Sequence, residues 1–273
     1  MKQRIITALI GLPFLILLLF CPVPVVLAVV IAASILGMFE LLRATKMIPQ
    51  TGLCAVGYIG AALIPLAMYF RNGLWMQLLI YGLMIALFVM LLIYHKSVRL
   101  SQPALILFAL IYVPFFLSHI VLIREMDYGR FYIWLVFLGA FSTDTFAYFG
   151  GTFFGKRKLC PEISPKKTVA GAISGLLGSG LVMVLFGLIV NACFGDSLGN
   201  GMSLIRLLIL GVLCGVISEV GDLAASIIKR EYDVKDFGNL LPGHGGILDR
   251  CDSILFVAPL IYLFLQMVGI FAA

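Results

Sequence analysis

Apolar stretches close to twenty residues long recur along this chain, and they limit its fold more than any other feature. Ile5 to Phe20 and Trp75 to Tyr94 are examples, near the roughly 20 residues an α-helix needs to cross a hydrocarbon core. A soluble fold of 273 residues would hide its apolar side chains in one or two cores rather than string them in long runs. Only 12% of the residues are charged, against roughly 25% in a soluble domain. The bilayer is therefore the main solvent.

Runs bounded by charges, Gly/Pro clusters or polar turns predict nine helices, at 5–20, 23–42, 53–69, 75–94, 104–123, 131–149, 170–194, 204–228 and 254–272. The expected fold class is all-α, a polytopic transmembrane helix bundle. Residues 1–273 read as one integral-membrane domain, with helices one to five in 1–130 and helices six to nine, carrying the polar loops 150–169 and 229–253, in 131–273. Lys2 and Arg4 ahead of an apolar run imitate a secretory signal, but no small-x-small cleavage site follows. Bulky Phe20 before Cys21 argues against a lipoprotein site, so the segment is expected to stay as the first helix. The six cysteines have no paired spacing that suggests zinc or a disulfide framework, and read as small apolar fillers.

Basic residues collect on the cytoplasmic side of membrane proteins. With nine crossings, fifteen of the nineteen Lys and Arg fall on one side, and only Arg71, Arg124, Arg130 and Arg206 on the other. That bias predicts a cytoplasmic N-terminus and places loops 150–169 and 229–253 in the cytoplasm. The formal net charge of +6 is spread over membrane-flanking loops with no soluble domain to form a groove, which disfavours nucleic acid as a partner.

Polar residues inside the apolar runs narrow the chemistry. Glu219, Asp222, Ser226 and Lys229 are spaced 3, 4 and 3 apart, which puts them on one face of the eighth helix. An ionised carboxylate in a bilayer costs at least about 2.5–3.5 kcal/mol, so such a stripe faces a bundle interior or a wet cavity. The alternative is an interhelical pair near the interface. Asp144 lies near the cytoplasmic end of helix six, at a depth comparable with that stripe. Glu40 has Arg43 three residues on and is expected to form a helix-end salt bridge with it.

The loop from Gly150 to Thr168 combines glycines with five basic residues, a composition able to wrap a polyphosphate or simply to anchor the cytoplasmic side. Thr168 is placed to N-cap the seventh helix, which would set Lys166 and Lys167 beside a helix N-terminus that favours anions.

The segment Ser226 to Asp252 is the most specific part of the chain. It supplies Lys229, Arg230, Lys235 and Arg250 for phosphates, a Pro-Gly-His-Gly-Gly turn for close backbone approach, and carboxylates suited to hard cations. The order Ser226-x-x-Lys229-Arg230, Lys235-Asp236, then Pro242-x-His244-Gly245-Gly246-x-x-Asp249-Arg250-x-Asp252 resembles the signature of the phosphatidate cytidylyltransferase family. Gly221-Asp222, the Ile163-Ser164-Pro165-Lys166-Lys167-Thr168 run and the Lys-Gln-Arg-Ile-Ile-Thr amino terminus extend the resemblance. Cys251 departs from the usual aliphatic residue or threonine, and Val169-Ala170 replace a usual Trp and an acid or amide.

The resemblance implies a magnesium-dependent nucleotidyl transfer, in which phosphatidate attacks the α-phosphorus of CTP to give CDP-diacylglycerol and diphosphate. It implies Asp222 and Asp249 as metal ligands, with Asp144, Glu219 and Asp252 as further candidates and a second metal ion left open. For Asp252, directly before Ser253, N-capping of the last helix is an equal alternative. Lys229, Arg230 and Arg250 would grip the phosphates, and His244 would contact a phosphate rather than act as a base, because a phosphate nucleophile is already ionised. Ser164, Lys166, Lys167, Thr168, Ser226, Lys235, Asp236, Gly245 and Gly246 are the expected substrate-binding residues. The expected partners are CTP, inner-leaflet phosphatidate and the bilayer of a bacterial inner membrane, with a homodimer left open. A CDP-alcohol phosphotransferase is disfavoured because its Asp-x-x-Asp-Gly-x-x-Ala-Arg helix is missing. A transporter with a polar pocket, or an inactive relative, is the alternative reading.

Overall fold

The computed structural model describes residues 11, 13, 15–49, 51–194, 201–240 and 245–270. Among them, seven helices are long and apolar enough to cross a membrane: α1 (Val23–Ala44), α2 (Thr51–Tyr69), α3 (Gly73–Ile93), α4 (Ser101–Glu125), α5 (Gly129–Phe154), α6 (Val169–Phe194) and α7 (Leu204–Glu231). An eighth long helix, α8 (Leu248–Met267), begins with charged residues. Helix is the natural state of these runs, since in lipid the backbone N–H and C=O groups must bond within the segment. The first expected helix falls mostly outside the described residues, of which 15–20 are helical. The chain is thus an all-α polytopic membrane protein.

Local chemistry sets several helix starts. Pro24 lies in the first turn of α1, where its missing N–H costs nothing. The Asn72 side chain accepts the Leu74 N–H at 3.0 Å and caps α3. α4 carries a π-turn at Ile111–Phe115 around Pro114, which widens the helix where proline cannot donate.

Two departures from the expected elements bear on function. Helix α5 continues through Gly150-Gly-Thr-Phe-Phe154, so the polar loop is shorter than 150–169. What remains folds into an antiparallel hairpin, β1 (Lys158–Cys160) and β2 (Ser164–Thr168), in which Lys158 pairs with Thr168. Helix α8 starts at Leu248 rather than at 254. Asp252 is therefore inside the helix and does not N-cap it.

The chain divides into two compact units, one comprising Met1–Arg130 with Glu231–Cys251, the other Phe131–Arg230 with Asp252–Ala273. In the first, α1 packs on α2 and α4, and α2 packs on α3 and α4. Of the arginines expected on the sparsely charged side, Arg71 pairs with Glu125 at 3.0 Å and Arg124 donates to the Cys21 carbonyl at 3.0 Å. The second unit is built on small residues. Gly171, Gly175, Gly178, Ser179, Gly180 and Gly187 are buried on α6, and Gly211, Gly215, Ser218 and Gly221 on α7. A Cβ added at Gly211 would lie 2.7 Å from Gly180 Cα, and one at Gly215 2.7 Å from Leu176 Cα. Such small-residue faces let membrane helices pack backbone to backbone, in place of a hydrophobic effect that lipid does not provide. All six cysteines are free thiols, with Cys54 and Cys214 buried.

Candidate active site

In the second unit the hairpin, α5, α7 and α8 bring charged groups together. Thr168 is the residue before α6, and its Oγ1 accepts the Gly171 N–H at 3.1 Å, the N-cap its position predicts. Glycines crowd this threonine: an added Cβ would come 3.0 Å from its Oγ1 at Gly151 and 2.7 Å at Gly155. The glycines of this stretch therefore serve close packing around the cap as well as the turn.

With Thr168 fixed, Lys167 points its Nζ between two carboxylates of α7. It lies 2.6 Å from Glu219 Oε2 and 2.6 Å from Asp222 Oδ2, with its side chain only 19% exposed. Burial opposes the Lys167 charge, but Asp222 and then Glu219 outweigh it, so the ammonium titrates above the ordinary lysine value of 10.5. The 3-residue spacing that suggested a common face on α7 is thus realised as a shared cation contact.

Asp144 of α5 feels the charges of Asp252, Asp222, Lys167 and Glu219, and accepts a hydrogen bond from Ser253 Oγ at 3.5 Å. Asp252 Oδ1 accepts the Ser253 N–H at 2.9 Å. Helix α8 can approach α7 here because residue 221 is glycine: a Cβ there would meet the Asp252 carbonyl oxygen at 2.7 Å. Ser164 opens β2, Lys166 is exposed beside it, and Ser226 is half-buried on α7. Lys229 and Arg230 close α7, and Arg230 Nε reaches the Ile163 carbonyl at 3.5 Å.

In the first unit the polar segment 231–251 is built around a second carboxylate. Asp249, in the first turn of α8 and 9% exposed, accepts on Oδ2 the N–H groups of Phe237 at 2.8 Å and Gly246 at 3.0 Å. Gly245 has φ +86°, a left-handed conformation natural to glycine, and brings the chain into that contact. Lys235 and Asp236 are exposed on the same segment. A cleft of about 360 Å³ is lined there by Arg43, Val234, Asp236, Phe237, Gly238 and Asn239. Arg250 is exposed, and His244 lies outside the described residues.

Glu40 corrects one expectation. Its carboxylate does not pair with Arg43 but accepts the N–H groups of Ile247 at 3.0 Å and Leu248 at 2.8 Å. Arg43 offered the nearer partner in sequence, whereas the real partners are more than two hundred residues away. The available signal was an acidic residue inside an apolar helix.

A hard divalent cation fits the donor chemistry without a complete protein cage. Among the described residues no three His, Cys, Asp or Glu side chains converge as a metal site. Glu219 and Asp222 do converge on one cation, the Lys167 ammonium. Carboxylates in such small number suit magnesium, which commonly completes its shell with phosphate oxygens and water.

The chain matches the model of the Cytidylyltransferase family over residues 2–268. It is 35% identical over 274 residues to the phosphatidate cytidylyltransferase of Bacillus subtilis, covering 98% of each chain. Identity to the protein of that name from Staphylococcus epidermidis is 34% over 272 residues, covering 97% of this chain and 99% of the relative. With the Thermotoga maritima protein of the same name it is 42% over 156 residues, covering 57% of this chain and 56% of the relative.

Proposed function

This chain belongs to the cytidylyltransferase family and is a nucleotidyltransferase, and from that premise we propose that it joins CTP to phosphatidate, releasing diphosphate and leaving CDP-diacylglycerol in the membrane. The observation that carries the reading is the Lys167 ammonium held between Glu219 and Asp222, a charged centre in an otherwise apolar bundle, within a chain that aligns end to end with phosphatidate cytidylyltransferases.

In this reaction a phosphatidate phosphate oxygen attacks the α-phosphorus of CTP. The bond from that phosphorus to the bridging oxygen breaks, and its electrons leave with diphosphate. Because the nucleophile is already ionised near neutral pH, the protein needs no general base for it. Its tasks are to align two anions that repel each other and to stabilise charge on the leaving group. Lys166, Lys167, Lys229, Arg230, Lys235 and Arg250 are proposed to hold phosphates, Arg by its planar fork and Lys as a point charge. Ser164, Thr168, Ser226, Asp236, Gly245, Gly246 and His244 are proposed to complete substrate binding. Asp222 and Asp249 are proposed to serve magnesium, with Glu219, Asp144 and Asp252 in support. The ion, when bound, neutralises charge shared between the triphosphate and the attacking phosphate.

The same reading assigns a bacterial inner membrane and a reaction on its cytoplasmic face. CTP is cytosolic, a phosphatidate headgroup sits at the interface, and fifteen of nineteen basic residues flank that side in the nine-helix reading. The test is incubation of the purified protein with labelled CTP, phosphatidate and magnesium. CDP-diacylglycerol and stoichiometric diphosphate are expected from the wild type, and neither from Asp222→Asn. Failure of the wild type with magnesium present rejects the function, and normal turnover by Asp222→Asn rejects the role given to that carboxylate.

A further inference from the structure

Glu40 belongs to no part of the signature and lies in α1, yet it is built into the signature segment. Its side chain is buried, with the residue 2% exposed. Oε1 accepts the Ile247 N–H and Oε2 the Leu248 N–H. Leu248 is the first residue of α8, so Glu40 satisfies donors that a helix start leaves without intrahelical partners, and places an anion at the positive end of the helix dipole. The backbone closes on the carboxylate from two more places. A Cβ added at Gly246 would lie 2.6 Å from Glu40 Oε1, and one at Gly238 2.6 Å from Glu40 Cδ.

These contacts interlock with those of Asp249. Asp249 Oδ2 ties Phe237 to Gly246, while Glu40 bonds Ile247 and Leu248 and leaves no room for a Cβ at Gly238. Both ends of the segment 237–248 are thereby fixed to α1 and to the first turn of α8. A carboxylate is an expensive group to bury for packing alone, because an apolar side chain of similar volume would avoid its desolvation. It is the better choice where two backbone donors must be held in a fixed direction, since both of its oxygens accept.

We infer that Glu40 is a positioning residue for cytidylyl transfer: it fixes the Gly246–Leu248 backbone and so the direction in which Asp249 and Arg250 leave the start of α8. The inference rests on the function proposed above. Glu40 acts through those residues and contacts no substrate.

The test compares full-length wild type, Glu40→Gln, Glu40→Asp and Gly238→Ala in detergent for melting temperature, kcat, KM for CTP and the magnesium concentration giving half activation. Gln keeps the shape but presents an NH₂ to one of the two N–H donors. Glu40→Gln is therefore expected to remain folded with kcat lowered about 10- to 100-fold, the scale of a small misplacement, and with half activation shifted to higher magnesium. Asp keeps both acceptors and is expected to recover part of that loss. Gly238→Ala leaves Glu40 in the chain but displaces its carboxylate, and is expected to repeat the kinetic change. Wild-type kinetics in folded Glu40→Gln overturn the inference. If Glu40→Gln does not fold, Gly238→Ala decides, and its normal kcat and magnesium dependence overturn the inference equally. A wild type that transfers no cytidylyl group would instead reject the proposed function itself.

Discussion

Lys167 and Asp222 form an ion pair 2.6 Å long that ties the β-hairpin to α7. Because Glu219 shares the same ammonium, the hairpin brings its own counter-cation to an acidic pair that would otherwise repel. One ammonium offsets only one of the two formal carboxylate charges. On the metal assignment proposed above, it would compete with a divalent cation for the same two oxygens.

Lys167→Met should separate these effects. Without the ammonium, Glu219 and Asp222 become a stronger cation site, so manganese binding to the substrate-free protein, followed by electron paramagnetic resonance, is expected to tighten. Turnover is expected to fall at least about 10-fold, since one of the positive charges proposed to hold phosphate is lost. Unchanged manganese affinity would show that Lys167 does not compete at this position.

Thr168 gives a smaller, structural effect. Its Oγ1 bond to the Gly171 N–H is lost in Thr168→Ala, which is expected to lower stability by about 1 kcal/mol. Thr168→Ser keeps the hydroxyl and should restore most of it. Thermal unfolding in detergent measures both. A larger drop in activity than in stability for Thr168→Ala would point to the substrate-binding role proposed for Thr168 or to Lys167, the preceding residue, losing its aim.

The close crossing of α6 and α7 predicts intolerance of bulk. A side chain at Gly211 meets backbone at once, with Ser179 O and Gly180 Cα both 2.7 Å from an added Cβ. Backbone on both sides cannot turn away as a flexible side chain can. Gly211→Val is expected to lose about 1–3 kcal/mol or to fail to assemble, read as aggregation on size-exclusion chromatography. Gly82, with nothing within 4 Å of an added Cβ, should accept alanine without loss.

Hydropathy made the long helices legible, because a run of apolar residues in lipid has few alternatives to helix. It failed where charge interrupts the run. Asp249, Arg250 and Asp252 make the start of α8 read as loop up to residue 253, yet in the structure those residues are helical from Leu248 onward. Gly150 and Gly151 suggest a flexible loop but lie inside α5, which runs on to Phe154, since glycine in a helix is tolerated where a neighbouring backbone approaches closely. The spacing of Glu219 and Asp222 announced a shared face, but nothing local to α7 named Lys167 as the group between them. Glu40 was the least legible residue, because its partners are backbone N–H groups, which carry no side-chain signature, at a sequence distance no local pattern spans.

Asp249 offers the sharpest separation of structure from chemistry. Its Oδ2 accepts two backbone N–H groups, so a carbonyl oxygen at that place is enough to keep the loop closed. Asn supplies such an oxygen but no negative charge, and Asp249→Asn is expected to melt close to wild type. Asp249→Ala leaves the Phe237 and Gly246 donors without that acceptor, and is expected to lose about 2 kcal/mol or more. If Asp249 serves a divalent cation, both variants lose transfer activity by about 100-fold or more, although only the alanine variant is destabilised. A stable Asp249→Asn with near-normal turnover would reduce this carboxylate to a fastening of the loop, and would withdraw it from the metal-binding set while leaving Asp222 in place.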